Sequence, residues 1–504
     1  MSGFGRRRRR RSSRRDHQSS RAPARERSRA EPSGRTHRLP AIVVLATLLV
    51  AGGVADGRVG RASPSKVTSV QAQVPIAAPA SARSSAWYCP GGPVTGATGE
   101  GYVVVANAGD RRLTGTVTVF PDKGDSRKTP ISVAPASRAS VRLADVVTSA
   151  FASALIEFDG GEAVAEEVTL GALGDSVSPC ASSASASWYF AEGVTTRDAS
   201  DVLLALNPFP DDAVVDVVFS TEEGVVTPQA LTGLLVRAQA LTTINVGDFV
   251  QRRESVSVSL VARTGRLITG RAQTFDGSAG RKGISVALGA AAPGPLWYFA
   301  EGLVADGQAE RYLIYNPGPA EAQVELDLAL DSGDAEPIRL TVPRESRVAV
   351  VAADESRIPK GVPHSATIRS LSGPDVVVER AIDGVAPSTR TGISLAFGAR
   401  LPAKRWATAA GAADDTTDQW VVIFNPGPRK ASVTLSVLAD GTPLVVGTAI
   451  EVQPGQRKAF RVNDVTKRAT APMLVTADAP VIVERDLYRV KAPGLAMSAA
   501  VPLR

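Results

Sequence analysis

The residues that could do chemistry in this sequence are few, and they recur. Glu192 and Glu301 each end the run Trp-Tyr-Phe-Ala-Glu before a glycine, where a carboxylate could act as a general acid or base. Glu and Arg are neighbours at Glu379-Arg380 and Glu484-Arg485, each pair closing an apolar run. Acids gather at Asp198 and Asp201, at Asp306 and Glu310, and at Asp414, Asp415 and Asp418, a supply of hard oxygen ligands that could hold Ca²⁺. Of 3 His, His17 and His37 sit among arginines near the start, which leaves His364 alone and gives no basis for His-based zinc sites or His-dependent triads. No G-x-S-x-G, S-x-x-K or phosphate-loop pattern is present.

Internal comparison turns most of these readings structural. The chain repeats one unit four times. Trp87, Trp188, Trp297 and Trp406 open the copies, 101, 109 and 109 residues apart. Asn107, Asn207, Asn316 and Asn425 follow 19 or 20 residues later, the last two in Asn-Pro-Gly-Pro. A third anchor ends at Glu167, Arg271, Arg380 and Arg485, and a closing apolar segment follows it. The position of Glu192 and Glu301 is glycine in the first copy and Ala410 in the fourth, which argues against catalysis there. In a strand, Glu379 and Arg380 point to opposite faces, as do Glu484 and Arg485. The inward charge needs a partner, so a buried Glu–Arg link between strands is expected. The acidic loops match no defined calcium loop and the first copy offers only Glu100, so they read as solvated. No metal, cofactor or catalytic residue is expected.

The elements that must hold these anchors are strands. In the third copy, residues 323–330 alternate with period two after the Asn316 turn, and residues 312–315, 337–342, 347–351, 366–371, 376–382 and 393–397 complete seven or eight short strands. The one helical expectation is a short turn near residues 141–147. The fold class is therefore all-β, with four tandem β-sandwiches of immunoglobulin-like size. The alternative is a propeller-like closed array in which each unit supplies two four-stranded blades. In the Trp-Tyr pair, one ring should enter the core and the other cover an edge or an inter-unit joint, while a carbohydrate-stacking platform is the competing reading. The Asn turns read as structural: Asn bonds nearby backbone, Pro fixes φ, and Gly supplies φ > 0.

Length and charge set the context. The chain has 504 residues, 44% hydrophobic and 21% charged, too many for one ordinary core and too apolar for disorder throughout. Its net charge of +7 hides an asymmetry: residues 1–38 carry 14 Arg and 3 acids, and the remainder is mildly acidic. The arginine run could grip nucleic acid, but no aromatic or folded element accompanies it, and no nucleic-acid partner is expected. Residues 39–55 carry no charge and follow the basic head, the positive-inside pattern of an anchor that leaves the head in the cytoplasm and exports the rest. At about 1.5 Å per residue the segment is slightly short for a span. The alternative is secretion after cleavage near Ala55. The expected organisation is a disordered head at 1–38, the anchor at 39–55, a flexible linker at 56–85, and β-repeats at 86–184, 185–292, 293–402 and 403–504. Cys89 and Cys180 bracket the first repeat on the exported side, where a disulfide between them would persist and bring the first and last strands together.

Taken together, W-Y-F-A-E-G, a strand into Asn-Pro, V-x-x-E-R and G-x-S resemble a repeat of exported actinobacterial and related Gram-positive proteins. The Cys-bearing first copy behind a basic head and one apolar segment is similar to a membrane-anchored actinobacterial family of unknown function. The resemblance implies an envelope location and a β-sandwich, and no activity. The expected function is a non-catalytic, membrane-anchored extracytoplasmic structural or interaction protein of the cell envelope. It would be held in the cytoplasmic membrane by residues 39–55 and would meet an envelope protein or wall glycan. The alternative is a cell-wall carbohydrate-binding module using exposed Trp or Tyr rings.

Overall fold

The computed structural model describes residues 74–96, 98–439 and 441–504. The basic head, the apolar segment at 39–55 and most of the expected linker lie outside them. Among the described residues no helix is long and apolar enough to cross a membrane, and the only helical pieces are five three-residue 3-10 turns, one of them Leu143–Asp145.

The rest of the regular structure is antiparallel strands joined by turns and loops. Residues 296–397 show the plan. One sheet runs in the order Leu296–Phe299, His364–Ser372, Ala322–Leu330 and Ile338–Val342. The other runs Ser346–Val351, Gln308–Asn316, Val377–Gly384 and Gly392–Phe397. Alternation in Ala322–Leu330 turns Val324 and Leu326 inward, where they meet Trp297, Ile314 and Leu395 from both sheets. The same strand order recurs in residues 85–179 and 187–288, the latter with one added short strand. In residues 403–502 the 17-residue strand Met473–Arg489 passes from one layer to the other, joining both into a single eight-stranded sheet. We refer to these stretches as units 1 to 4. Each encloses its own apolar core.

Sandwich and closure turn out to be compatible. The closing strand of each unit is an edge strand, and unpaired edges invite association. Here Gly174–Pro179 lies against Lys282–Leu288, that strand against Gly392–Phe397, that one against Leu495–Ala499, and the last returns to the first. Serines clip the edges together. The Val286 amide donates to Ser176 Oγ (2.8 Å), the Leu395 amide to Ser285 Oγ (3.0 Å), and the Met497 amide to Ser394 Oγ (3.0 Å). Between units 4 and 1 the serine position is Ala496. There Arg489 reaches Asp175 at 3.3 Å, and Ala77 forms a parallel bridge with Leu503. Residues 74–84, expected as the end of a flexible linker, are thus part of the closure, with Ala77 fully buried and the Ala78 carbonyl accepting the Glu162 amide.

Cys89 and Cys180 are bonded. The pair joins the edge of one sheet of unit 1 to the end of the closing strand of the other, beside the Tyr88–Ala181 bridge. Units 2 and 3 fill the same place with a ring on a glycine. A Cβ on Gly289 would lie 2.8 Å from the Phe190 ring, and one on Gly398 2.9 Å from Phe299. The disulfide closes a loop of 91 residues. Replacing both cysteines by alanine should therefore lower unfolding free energy by about 2–5 kcal/mol, read from guanidinium titration with and without reductant.

Candidate functional site

The charged residues singled out in the sequence meet at the joints between units. Arg271 of unit 2 and Glu379 of unit 3 are both fully buried and form a two-pronged ion pair, one prong at 3.2 Å. Arg380 of unit 3 pairs in the same way with Glu484 of unit 4, and Arg485 of unit 4 pairs with Glu166 of unit 1 at 3.0 Å. The sequence led us to expect a link between strands with one charge of each Glu-Arg pair outward. The structure buries both charges, because the arginine serves the joint ahead and the glutamate the joint behind.

Each carboxylate is satisfied by backbone as well. Glu379 Oε2 accepts the amides of Ala191 and Glu192 (3.2 and 2.9 Å), Glu484 Oε2 those of Ala300 and Glu301, and Glu166 Oε2 those of Ala409 and Ala410. These are the Ala-Glu positions of W-Y-F-A-E-G and their fourth-unit counterparts. Each arginine also donates to its own unit's carbonyl, at Glu192, Glu301 or Ala410. The Arg271 and Arg380 guanidinium carbons stand 5.3 and 5.5 Å from the ring centres of Phe190 and Phe299. The Glu192 side chain binds Arg347 of unit 3, and Glu301 binds Arg457 of unit 4. Glu192 and Glu301 are buried joint residues.

The joint between units 1 and 2 departs at every one of these positions. Pro90 has no amide to donate, Gly270 stands where the partner glutamate would be, Leu241 replaces the second arginine, and Glu167 replaces the first. Backbone approaches closely instead: a Cβ on Gly270 would lie 2.6 Å from Pro90. Glu167 turns to its own unit, accepting the Gly91 amide at 3.0 Å, and its other oxygen has no partner. Burial pushes its carboxyl up to about 8.

The aromatic pair divides as expected. All four anchor tryptophans are buried at 1–2% exposure, so none offers a face to a sugar. The indole N–H groups of Trp188, Trp297 and Trp406 donate to the carbonyls of Leu267, Val376 and Val481. The tyrosines cross the joints: Tyr88 lies against Phe209 of unit 2, and Tyr298 against Phe424 of unit 4. Asn107, Asn207, Asn316 and Asn425 are fully buried. Each Oδ1 accepts the amide two residues on, and each Nδ2 donates to the carbonyl four residues on and to a residue ending a strand of the opposite sheet.

The acidic loops are less uniform than expected. Asp306 and Asp415 are exposed and pair with Lys360 and Lys467. Asp201 and Glu310 are fully buried instead of solvated. Glu310 faces His364 at 3.3 Å. Asp201 has no hydrogen-bond partner at either oxygen, and burial pushes its carboxyl up to about 7. Among the described residues no group of three or more His, Cys, Asp or Glu could hold a metal ion.

Sequence reading missed one concave feature entirely. An apolar cavity of about 110 Å³ lies where the four closing strands converge. Val177, Leu288, Leu395 and Ala499 bring one side chain from each unit, Trp297 and Trp406 form part of the wall, and Arg400 is its one charged residue. Only the closure assembles it, and no single repeat carries its signature.

Two outcomes follow from this geometry. Arg380→Met strands the buried Glu484 carboxylate and should cost about 3–5 kcal/mol, whereas Arg380→Met with Glu484→Gln should recover part of the loss, as a double-mutant cycle by chemical denaturation measures. Glu167 has its folded-state value above the unfolded one, so the native chain keeps a proton that the unfolded chain releases between about pH 4.5 and 8. Its contribution to stability therefore falls as pH rises through that window and is flat below it. Glu167→Gln should melt with the parent near pH 4.5 and above it at pH 8, by differential scanning fluorimetry.

Residues 160–370 match a family of unknown function (DUF5719), over less than half of the chain. No curated protein matches the sequence. Among solved structures, the crystal structure of Thermotoga maritima 1070 is similar over 21% of this chain and 94% of its own, at 18% identity and a TM-score of 0.20.

Proposed function

We propose that this protein is a non-catalytic, membrane-anchored scaffold of the cell envelope. In this reading the four units are tandem copies of one immunoglobulin-sized module. Residues 39–55 cross the cytoplasmic membrane with residues 1–38 inside, and the following residues lead to a body outside. The observation that carries the reading is the fate of the repeated polar residues. The repeated glutamates and arginines of the third anchor, and the glutamates of W-Y-F-A-E-G, are spent on joining one unit to the next, and the tryptophans and asparagines hold the cores and turns. The Cys89–Cys180 bond supports an exported body, since such bonds persist outside the cytoplasm. The buried tryptophans weigh against the wall-glycan alternative.

Protease shaving of intact cells carrying the full chain with tags at both ends tests the topology. The expected result is digestion of the body with the N-terminal tag protected inside. An N-terminal tag cut from outside, or a body resistant until lysis, overturns the reading. Sedimentation of the exported body with insoluble wall polysaccharide should leave it in the supernatant, and co-sedimentation would replace the scaffold with a glycan binder.

A further inference from the structure

The axial cavity is the one feature that the joints do not account for. Its wall is apolar, built from small and branched residues of all four closing strands and two indoles. A cavity of this kind offers water few hydrogen bonds; a comparable apolar cavity of about 150 Å³ stays dry and takes up a hydrocarbon. Arg400 breaks the pattern. The matching positions in units 1 and 2 are Ser182 and Ala291, so the fold does not require a charge there. Arg400 lies with its guanidinium carbon 4.5 Å from the centre of Trp297, and its Nη1 donates to the Ala292 carbonyl at 3.2 Å. Among the described residues no carboxylate forms an ion pair with it, and Asp375 is the one acid whose field it feels. Burial accordingly lowers its guanidinium to about 10. The buried arginines at the joints, Arg271, Arg380, Arg457 and Arg485, each have a carboxylate, whereas Arg400 is half-buried and, among the described residues, has none.

The geometry points to a binding site for an anionic amphiphile, whose aliphatic chain fills the axial cavity while its carboxylate or phosphate head pairs with Arg400. The inference rests on the cavity and on Arg400 alone, and it stands or falls independently of the membrane topology proposed above. An alkyl chain gives apolar walls a matching surface, and an acid head supplies the charge that Arg400 lacks. A cationic head is disfavoured by the same guanidinium.

The test uses residues 74–504, the body that closes through Ala77 and Leu503, titrated calorimetrically below micellar concentrations with four probes of equal chain length. These are octanoic acid, octyl phosphate, 1-octanol and octyltrimethylammonium. Binding of either acid at least tenfold tighter than octyltrimethylammonium, with 1-octanol between, is expected, and the tighter acid identifies the head. Ala396→Leu, which fills the cavity, should abolish binding of all four. Arg400→Gln should keep 1-octanol binding and erase the preference for acids. Circular dichroism and melting confirm that each variant is folded; if Ala396→Leu is not, Arg400→Gln decides. Failure of both acids to bind, binding unchanged by a folded Ala396→Leu protein, or an acid preference that survives Arg400→Gln overturns the proposal.

Discussion

Burying an arginine and a glutamate together removes two charges from water, and their attraction repays this only where every remaining donor and acceptor finds a partner. At three joints of this protein sharing meets most of that condition, with the buried Nε of Arg271 and of Arg485 the donors left over. The guanidinium is held by its own unit's carbonyl and its neighbour's carboxylate, and the carboxylate by two consecutive amides across the joint. Neither unit alone can satisfy the pair. The interaction therefore fixes which faces meet and in what register more than it adds net stability, because a slipped joint would leave a charge buried and unmatched.

The same logic explains why the joint between units 1 and 2 looks so different. Removing only the glutamate would strand an arginine, and removing only the arginine would strand a glutamate. Gly270, Leu241, Pro90 and Gly91 take out the acceptor, the second cation, one amide and the second acid, leaving close apolar contact in their place. Glu167 is the residue that stays ionisable, and it survives by holding a proton and one backbone amide of its own unit. The disulfide stands beside it, where the other units have phenylalanine against glycine.

The sequence shows the strands and the recurring anchors because their signals are local. Alternation in residues 323–330, the turn at Asn316 and the four tryptophans depend on neighbours a few residues away. The pairing of the Glu-Arg anchors across units was not legible. A strand pattern says that both residues alternate, but it does not say that a second surface waits on the other side. A signal did exist in the alignment of the copies: Gly270 and Glu167 are the two departures from Glu and Arg at their positions, and they fall on either side of one joint. Asp201 and Glu310 were misjudged as solvated because their loops are acidic, although they sit on strands that turn them inward. The axial cavity left no trace, since its wall is gathered from all four closing strands and two anchor tryptophans, and no local pattern records that they meet.

The contact between Ala77 and Leu503 has a reach beyond packing. Open arrays of repeats lengthen and shorten readily by recombination, because each copy answers only to its neighbours. A circle whose last member must greet its first admits no such drift, for a third or a fifth copy would leave a gap or a collision. Here the meeting of Ala77 with Leu503 ties the number of units to the geometry of the ring.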